Sequence, residues 1–254
     1  MSRLRKSDVG RYVFLPGDPE RVPKIAKHWD KSKEIGMAGY RDILRGREIR
    51  HYMWSGLIRG EKVLACGTGI GAPALESALG FLRSYGADTF IRVGTCGAIQ
   101  PNIRPGDLVI ASGALRREAT SSAYVDSTYP AVGDFWVLQS LVQACEDSGY
   151  RHHVGLIAST DTFYVGQGRP GFKGYLPSET RNIVHELSQQ NILAFDMETS
   201  VLYVIASLRK FRAGSICAVV ANRINNEMVA GAGEEICIRA ANRAMRLLID
   251  MGTV

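Results

Sequence analysis

Eight short β-prone runs punctuate this chain, and helical patterns lie between many of them. The runs are Tyr12 to Leu15, Ile49 to Trp54, Lys62 to Cys66, Thr89 to Val93, Leu108 to Ser112, Val154 to Ser159, Ile192 to Phe195 and Ser215 to Val220. A helix beginning at Pro73 carries Leu75, Ala78, Leu79 and Leu82 on one face, with Gly86 just past its end. Asp134 caps a second, which carries Leu138, Leu141, Val142 and Cys145 and stops at Gly149. A third spans about 197–208 and a fourth about 234–251. Strands that alternate with helices predict a three-layer α/β/α fold around a largely parallel sheet. The neighbouring runs at 49–54 and 62–66 read as an antiparallel hairpin, which makes the central sheet mixed. No repeat, linker or low-complexity tract interrupts the pattern, so the expectation is a single domain over 1–254.

Composition excludes some classes of function. No run approaches the ~18 apolar residues of a membrane span, and the basic N-terminus has no apolar segment behind it, so neither a span nor a signal peptide is expected. Five cysteines, at 66, 96, 145, 217 and 237, are widely spaced, with no CxxC and no Cys/His spacing suited to zinc. They predict a reducing, cytoplasmic setting. The net charge of +6 is scattered rather than blocked. That balance suits a small anionic substrate better than a nucleic-acid stripe.

Four glycine-bearing junctions and one acidic one carry the chemistry. In "TFIRVGTCGAI" (89–99), Arg92 interrupts an apolar strand, and Gly94, Cys96 and Gly97 read as a tight turn after it. A buried guanidinium needs an anion. An internal carboxylate would satisfy it; so would an oxyanion ligand met by Arg92, backbone N–H groups near Gly94, and the Thr95 hydroxyl. In "GDPERV" (17–22), Asp18 reads as a helix cap and Pro19 as the first helical residue, with Gly17 and Arg21 placed for an anion. "GTGIGA" (67–72) fits a dinucleotide fingerprint by spelling, but its acidic candidate, Asp88, stands before a strand rather than after one. It reads instead as a tight corner beside a pocket. "STDTFYVGQGR" (159–169) gathers Phe163, Tyr164, Gln167 and Arg169, which could stack on and hydrogen-bond a planar heterocycle. "AFDMETS" (194–200) sets Asp196 and Glu198 at a strand-to-helix junction, where acidity is ordinary but where Glu198 could also accept from sugar hydroxyls. The five histidines have no evident catalytic partner, and His152–His153 read as a solvated strand start.

Taken in order, "PGDPERV", "TGIGAP", "RVGTCGAIQP", "YPAVGDF", "STDTFYVGQGR", "FDMETS" and "VVANR" resemble the nucleoside phosphorylase family, nearest to its uridine-cleaving members. The resemblance runs from about 12 to 228. It implies a nucleoside phosphorylase-like domain that cleaves uridine with phosphate, giving uracil and α-ribose 1-phosphate. It implies Gly17, Arg21, Arg92, Gly94 and Thr95 around phosphate, joined by an arginine from a neighbouring subunit; Arg47 is the match, with Arg41 and Arg50 close by. Met197, Glu198 and Thr95 fall to the ribose, and Phe163, Gln167, Arg169 and Arg223 to the base. Asn222 stands where purine-cleaving members carry a protonating aspartate, which favours a pyrimidine. A borrowed arginine implies a homo-oligomer, a dimer or a hexamer of three dimers. No metal or organic cofactor is implied, and phosphate is a co-substrate. Some members hold interface potassium through a glutamate and a serine; Glu48 is present but Ala74 stands at the serine position, so the ion is not expected. The histidine that bacterial members send to a neighbour's ribose is missing from "SDVGRYVFL". A purine or methylthioadenosine phosphorylase, a nucleosidase of the same fold, and a non-catalytic nucleoside sensor are the competing readings.

Overall fold

The computed structural model describes residues 4–42 and 47–252, with backbone alone at 38–42 and 47–50. Its strands are β1 (Tyr12–Pro16), β2 (Lys31–Asp42), β3 (Arg47–Ile58), β4 (Glu61–Cys66), β5 (Thr89–Ala98), β6 (Leu108–Arg117), β7 (Ala131–Val132), β8 (His152–Thr160), β9 (Ala194–Asp196), β10 (Arg212–Asn222) and β11 (Glu227–Met228). The α-helices are α1 (Arg21–Ala26), α2 (Ala72–Ser84), α3 (Phe135–Asp147), α4 (Ile183–Gln189), α5 (Thr199–Arg209) and α6 (Glu234–Asp250).

All the strands join one mixed sheet. From β5 it extends through parallel β1 and β4 to antiparallel β3 and β2. On its other side β5 pairs with both β10 and β9, and the path β9–β8–β6–β10 returns to β5. Five strands therefore close into a ring, and β5 belongs to both the ring and the open wing. The central strands are apolar on both faces, as a sheet covered on both sides demands. Val13, Leu15, Leu64 and Phe90 pack towards α2 and α5, whereas Phe14, Val63, Ala65, Ile91 and Val93 pack towards α1, α3 and α6. That gives the expected α/β/α layers. A smaller core, including Ile99, Ile183, Leu187 and Phe195, lies under α4.

The helix ends follow local chemistry. Asp134 Oδ1 accepts from Trp136 and Val137 N–H at 3.1 Å, capping α3 as its sequence predicts. The 17–22 segment departs from expectation: α1 begins at Arg21, so Pro19 lies in the preceding turn. Asp18 accepts from Glu20 N–H at 2.9 Å rather than capping the helix directly. A second departure concerns β5. The presumed turn at Gly94–Gly97 is continuous strand, because β10 runs parallel beside it as far as Asn222 opposite Ala98. Gly94 is needed there for close packing, not for turning. A Cβ at Gly94 would lie 2.8 Å from Arg92 Nη2 and 2.9 Å from Cys217 Sγ. The 12-residue strand β2 and the short helix α4 lack a clear apolar period and were not anticipated from sequence.

Candidate active site

Strand alternation decides where Arg92 goes. Successive side chains point to opposite faces of a strand, so Arg92 shares the face of Phe90, under α5. Asp196 ends β9, and Glu198 is the residue immediately before α5. The guanidinium, 3% exposed, meets both carboxylates: Nε lies 3.1 Å from Asp196 Oδ2 and Nη2 lies 2.5 Å from Glu198 Oε2. Nη1 is buried and has no hydrogen-bond partner among the described residues. It lies 3.9 Å from the place a Cβ would take on Gly17. The internal-carboxylate reading of this arginine holds for two of its nitrogens. The third is left beside a glycine.

The carboxylates divide the work. Asp196 is saturated: besides Arg92 it accepts from Ser159 Oγ at 2.5 Å, Thr199 Oγ1 at 2.6 Å and Thr199 N–H at 3.0 Å. Glu198 Oε1 accepts from Gly71 N–H at 2.6 Å, so the "GTGIGA" corner closes on the site as predicted. Burial pushes the Glu198 carboxyl above the usual range; Arg92 opposes that shift and the nearby Asp196 charge adds to it. For Arg92, burial disfavours the charge, but Glu198 and Asp196 outweigh it and hold the guanidinium ionised. Met197 and Thr95 are half-buried beside these groups in sequence. Arg21 approaches β5 from α1, with Nε 3.1 Å from Glu234 Oε2 and Nη1 3.5 Å from the Val93 carbonyl.

A second cluster forms three residues further along β5. A Cβ on Gly97 would meet Arg223 Cγ at 3.8 Å and Arg169 Nη2 at 3.9 Å. Arg169 Nη1 donates to Gln167 Oε1 at 2.5 Å and to the Phe163 carbonyl at 2.9 Å, and its guanidinium carbon lies 4.2 Å from the Phe163 ring centroid. Arg223 Nη1 donates to the Gln167 carbonyl at 3.1 Å. The buried Gln167 amide donates to Thr160 Oγ1 at 3.0 Å. Burial and the neighbouring Arg223 charge lower Arg169 to about 10. Phe163 is 49% exposed, with Tyr164 perpendicular to it at a centroid distance of 5.4 Å.

Phe163, Gln167, Arg169 and Arg223 thus form one cluster, and Gly17, Arg92, Gly94 and Glu198 another. Arg47, Arg41 and Arg50 lie on the β2–β3 hairpin, and their side chains, like that of Glu48, fall outside the described residues. Asn222 is engaged by the loops around it. Its amide donates to the Gln100 and Ile103 carbonyls at 2.8 and 2.6 Å, and its oxygen accepts from Ile224 and Asn225 N–H. It is spent on tying two loops together. Asn222→Asp would turn a carboxylate oxygen against two carbonyls, and we expect a loss of about 1–3 kcal/mol, measured by urea denaturation. His153 is also paired, with Nε2 3.0 Å from Asp107 Oδ2, rather than merely solvated.

Sequence reasoning missed Ser159, Thr199 and Gly71 as the groups that orient the two carboxylates. It also missed Glu118, a buried carboxylate that accepts from Ser200 Oγ at 2.9 Å and from Ser121, pinning the first turn of α5. A buried arginine on β5, with an Asp-x-Glu junction at the end of the neighbouring strand β9, was the available signal.

A family profile described as "Phosphorylase superfamily" matches residues 11–251. The chain belongs to the phosphorylase superfamily. Within it, the chain is 47% identical over 246 residues to a uridine phosphorylase of Thermococcus kodakarensis, covering 97% of this chain and 85% of that protein. It is 38% identical over 257 residues to a uridine phosphorylase of Treponema pallidum, covering 97% and 92%. It is also 34% identical over 254 residues to a guanosine phosphorylase of Halorubrum lacusprofundi, covering 98% and 96%. No described helix is long and apolar enough to cross a membrane.

Proposed function

We propose that this superfamily member catalyses reversible phosphorolysis of uridine, giving uracil and α-D-ribose 1-phosphate. The observation that carries the reading is the pairing of two clusters along β5. One has a buried guanidinium N–H, unpartnered among the described residues, beside a glycine; the other gathers a half-exposed aromatic ring, an amide and two guanidiniums. Gly94 and Gly97 stand three residues apart, about 10 Å at the usual strand rise. That spacing leaves room for one pentose between an oxyanion and a heterocycle, with Glu198 beside it.

In the reaction the C1′–N1 bond breaks with its electron pair going to uracil, and a phosphate oxygen forms the new bond to C1′. Arg92 Nη1, Arg21, the Gly17 backbone and Thr95 hold the phosphate, which is a weak nucleophile and gains most from being positioned. Glu198 accepts from the ribose 2′ and 3′ hydroxyls, with Met197 against the sugar. Phe163 stacks on the base. Gln167 and Arg169, steadied by Arg223, stabilise the departing uracil anion, which then takes a proton from solvent. No metal or organic cofactor is needed, and phosphate is the co-substrate. Arg47 from a neighbouring subunit would complete the phosphate cradle, which makes the working unit at least a dimer and suits a hexamer. Five free, buried cysteines suit the cytoplasm, and the role is pyrimidine salvage.

Arg169→Ala separates the clusters. It should lower kcat/KM for uridine by about 100-fold or more while the KM for phosphate changes little; equal losses in both would contradict the assignment. The acid limb of activity gives a second check. Glu198 must be ionised to accept two hydroxyls, and burial raises its carboxyl. The KM for uridine should therefore rise on acidification at a pH above ~4.3, the ordinary glutamate value. Glu198→Gln should abolish that limb; a limb that persists unchanged in the variant would assign it elsewhere.

The guanosine phosphorylase among the relatives makes purine cleavage the alternative. Rates of base release from uridine, guanosine and inosine at equal phosphate decide between them. Preference for uridine supports the reading, and preference for either purine nucleoside overturns the base assignment.

A further inference from the structure

We propose that Glu234, at the start of α6, is a positioning residue that fixes the Arg21 guanidinium for phosphate. The inference rests on the phosphate reading of Arg21. Arg21 is a long side chain, and ordering one costs up to about 2 kcal/mol in rotamer freedom. Here it is already ordered, 11% exposed, with Nε 3.1 Å from Glu234 Oε2 and Nη1 3.5 Å from the Val93 carbonyl. Val93 lies between Arg92 and Gly94, so this contact brings one end of the fork to the backbone of the strand that carries Arg92. The two arginines are held by one scheme. Each has Nε on a carboxylate, Asp196 for Arg92 and Glu234 for Arg21; Arg92 Nη1 then has no partner among the described residues, and Arg21 Nη1 has a long 3.5 Å contact to the Val93 carbonyl.

Glu234 is itself fixed. Gly233 before it adopts a left-handed φ of 70°, and a Cβ there would stand 2.9 Å from the Gly106 carbonyl oxygen. The start of α6 is therefore seated tightly against the 104–107 turn. The second Glu234 oxygen meets Lys24 Nζ at 2.7 Å. Lys24 is 47% exposed at the side chain, which makes it the natural control.

Kinetics with phosphate and uridine varied separately test the proposal. Glu234→Ala and Glu234→Gln should each raise the KM for phosphate about tenfold, within the usual range of pairwise couplings. The KM for uridine should stay within about twofold, and Glu234→Asp should recover part of the loss. Lys24→Ala should leave both KM values within about twofold, because an exposed ion pair of this kind contributes little. In an Arg21→Ala background, Glu234→Ala should add no further change. An unchanged or lowered phosphate KM in the Glu234 variants, or a parallel rise in both KM values, overturns the positioning role. If Arg21→Ala itself leaves the phosphate KM unaltered, the fault lies with the phosphate reading of Arg21, and the proposal falls with it. If Arg21→Ala raises that KM but the Glu234 variants do not, only the proposal falls.

Discussion

Arg92→Ala is expected to lower phosphate-dependent turnover about 1,000-fold and to destabilise the fold by about 3–5 kcal/mol. Two separate consequences are combined in these figures. The activity loss follows from Nη1, the donor left for phosphate, whose removal takes away a preorganised charge-assisted hydrogen bond inside a water-poor site. The stability loss follows from what remains: Asp196 and Glu198 are both almost fully buried, and without the guanidinium they face one another with no cation between them. Arg92→Lys separates the two effects. An ammonium can neutralise part of that charge but cannot reach Asp196, Glu198 and an anion together in a planar fork. It should regain much of the stability and little of the turnover. Urea denaturation beside initial rates reads both. Near-wild-type turnover in either variant would remove Arg92 from the reaction.

Gly94→Ala should be nearly as damaging for activity, although alanine is ordinarily a mild change within a strand. The new methyl would stand 2.8 Å from Arg92 Nη2, 2.9 Å from its guanidinium carbon and 2.9 Å from Cys217 Sγ. Overpacking of that kind typically costs about 1–3 kcal/mol. The guanidinium is the softer neighbour in principle, but its two ion pairs fix it, so relief comes by disturbing the group that positions phosphate. We expect about 100-fold lower kcat/KM, in line with the loss of one aligned donor. Removing Cys217 Sγ in a Gly94→Ala/Cys217→Ala double variant relieves one of the clashes. Thermal stability should partly recover while turnover does not. Recovery of turnover as well would mean that the thiol, not the guanidinium, makes Gly94 necessary.

Much of this architecture could be read from residue order, and the exceptions have physical causes. Strands β1, β4, β5, β6, β8 and β10 are apolar runs bounded by turn residues, and α2, α3 and α6 have an apolar face with clear stops, so pattern alone locates them. The continuation of β5 through Gly94–Gly97 was hidden because glycine ordinarily weakens a strand. Only the neighbours of Gly94, the Arg92 guanidinium and Cys217 Sγ, explain why a side chain is forbidden there. The closure of five strands into a ring depends on β9, three residues long, and on long-range pairings that no local period encodes. At the site, Arg92 announced its need for an anion. That it takes two carboxylates and still keeps one nitrogen could be known only once β9 was placed beside β5 and α5 against it. The orienting residues Ser159, Thr199, Gly71 and Glu234 belong to common types in ordinary surroundings, and only the fold brings them to the reacting groups.

The most direct test of the account is the stoichiometry of products from uridine with and without inorganic phosphate, followed by phosphorus NMR for the sugar phosphate and by absorbance for uracil. The account predicts one ribose 1-phosphate for each uracil released, in the α configuration, and no appreciable uracil when phosphate is omitted. Uracil released at the same rate without phosphate, with free ribose as the second product, would make the chain a hydrolase and contradict the role given to Arg92.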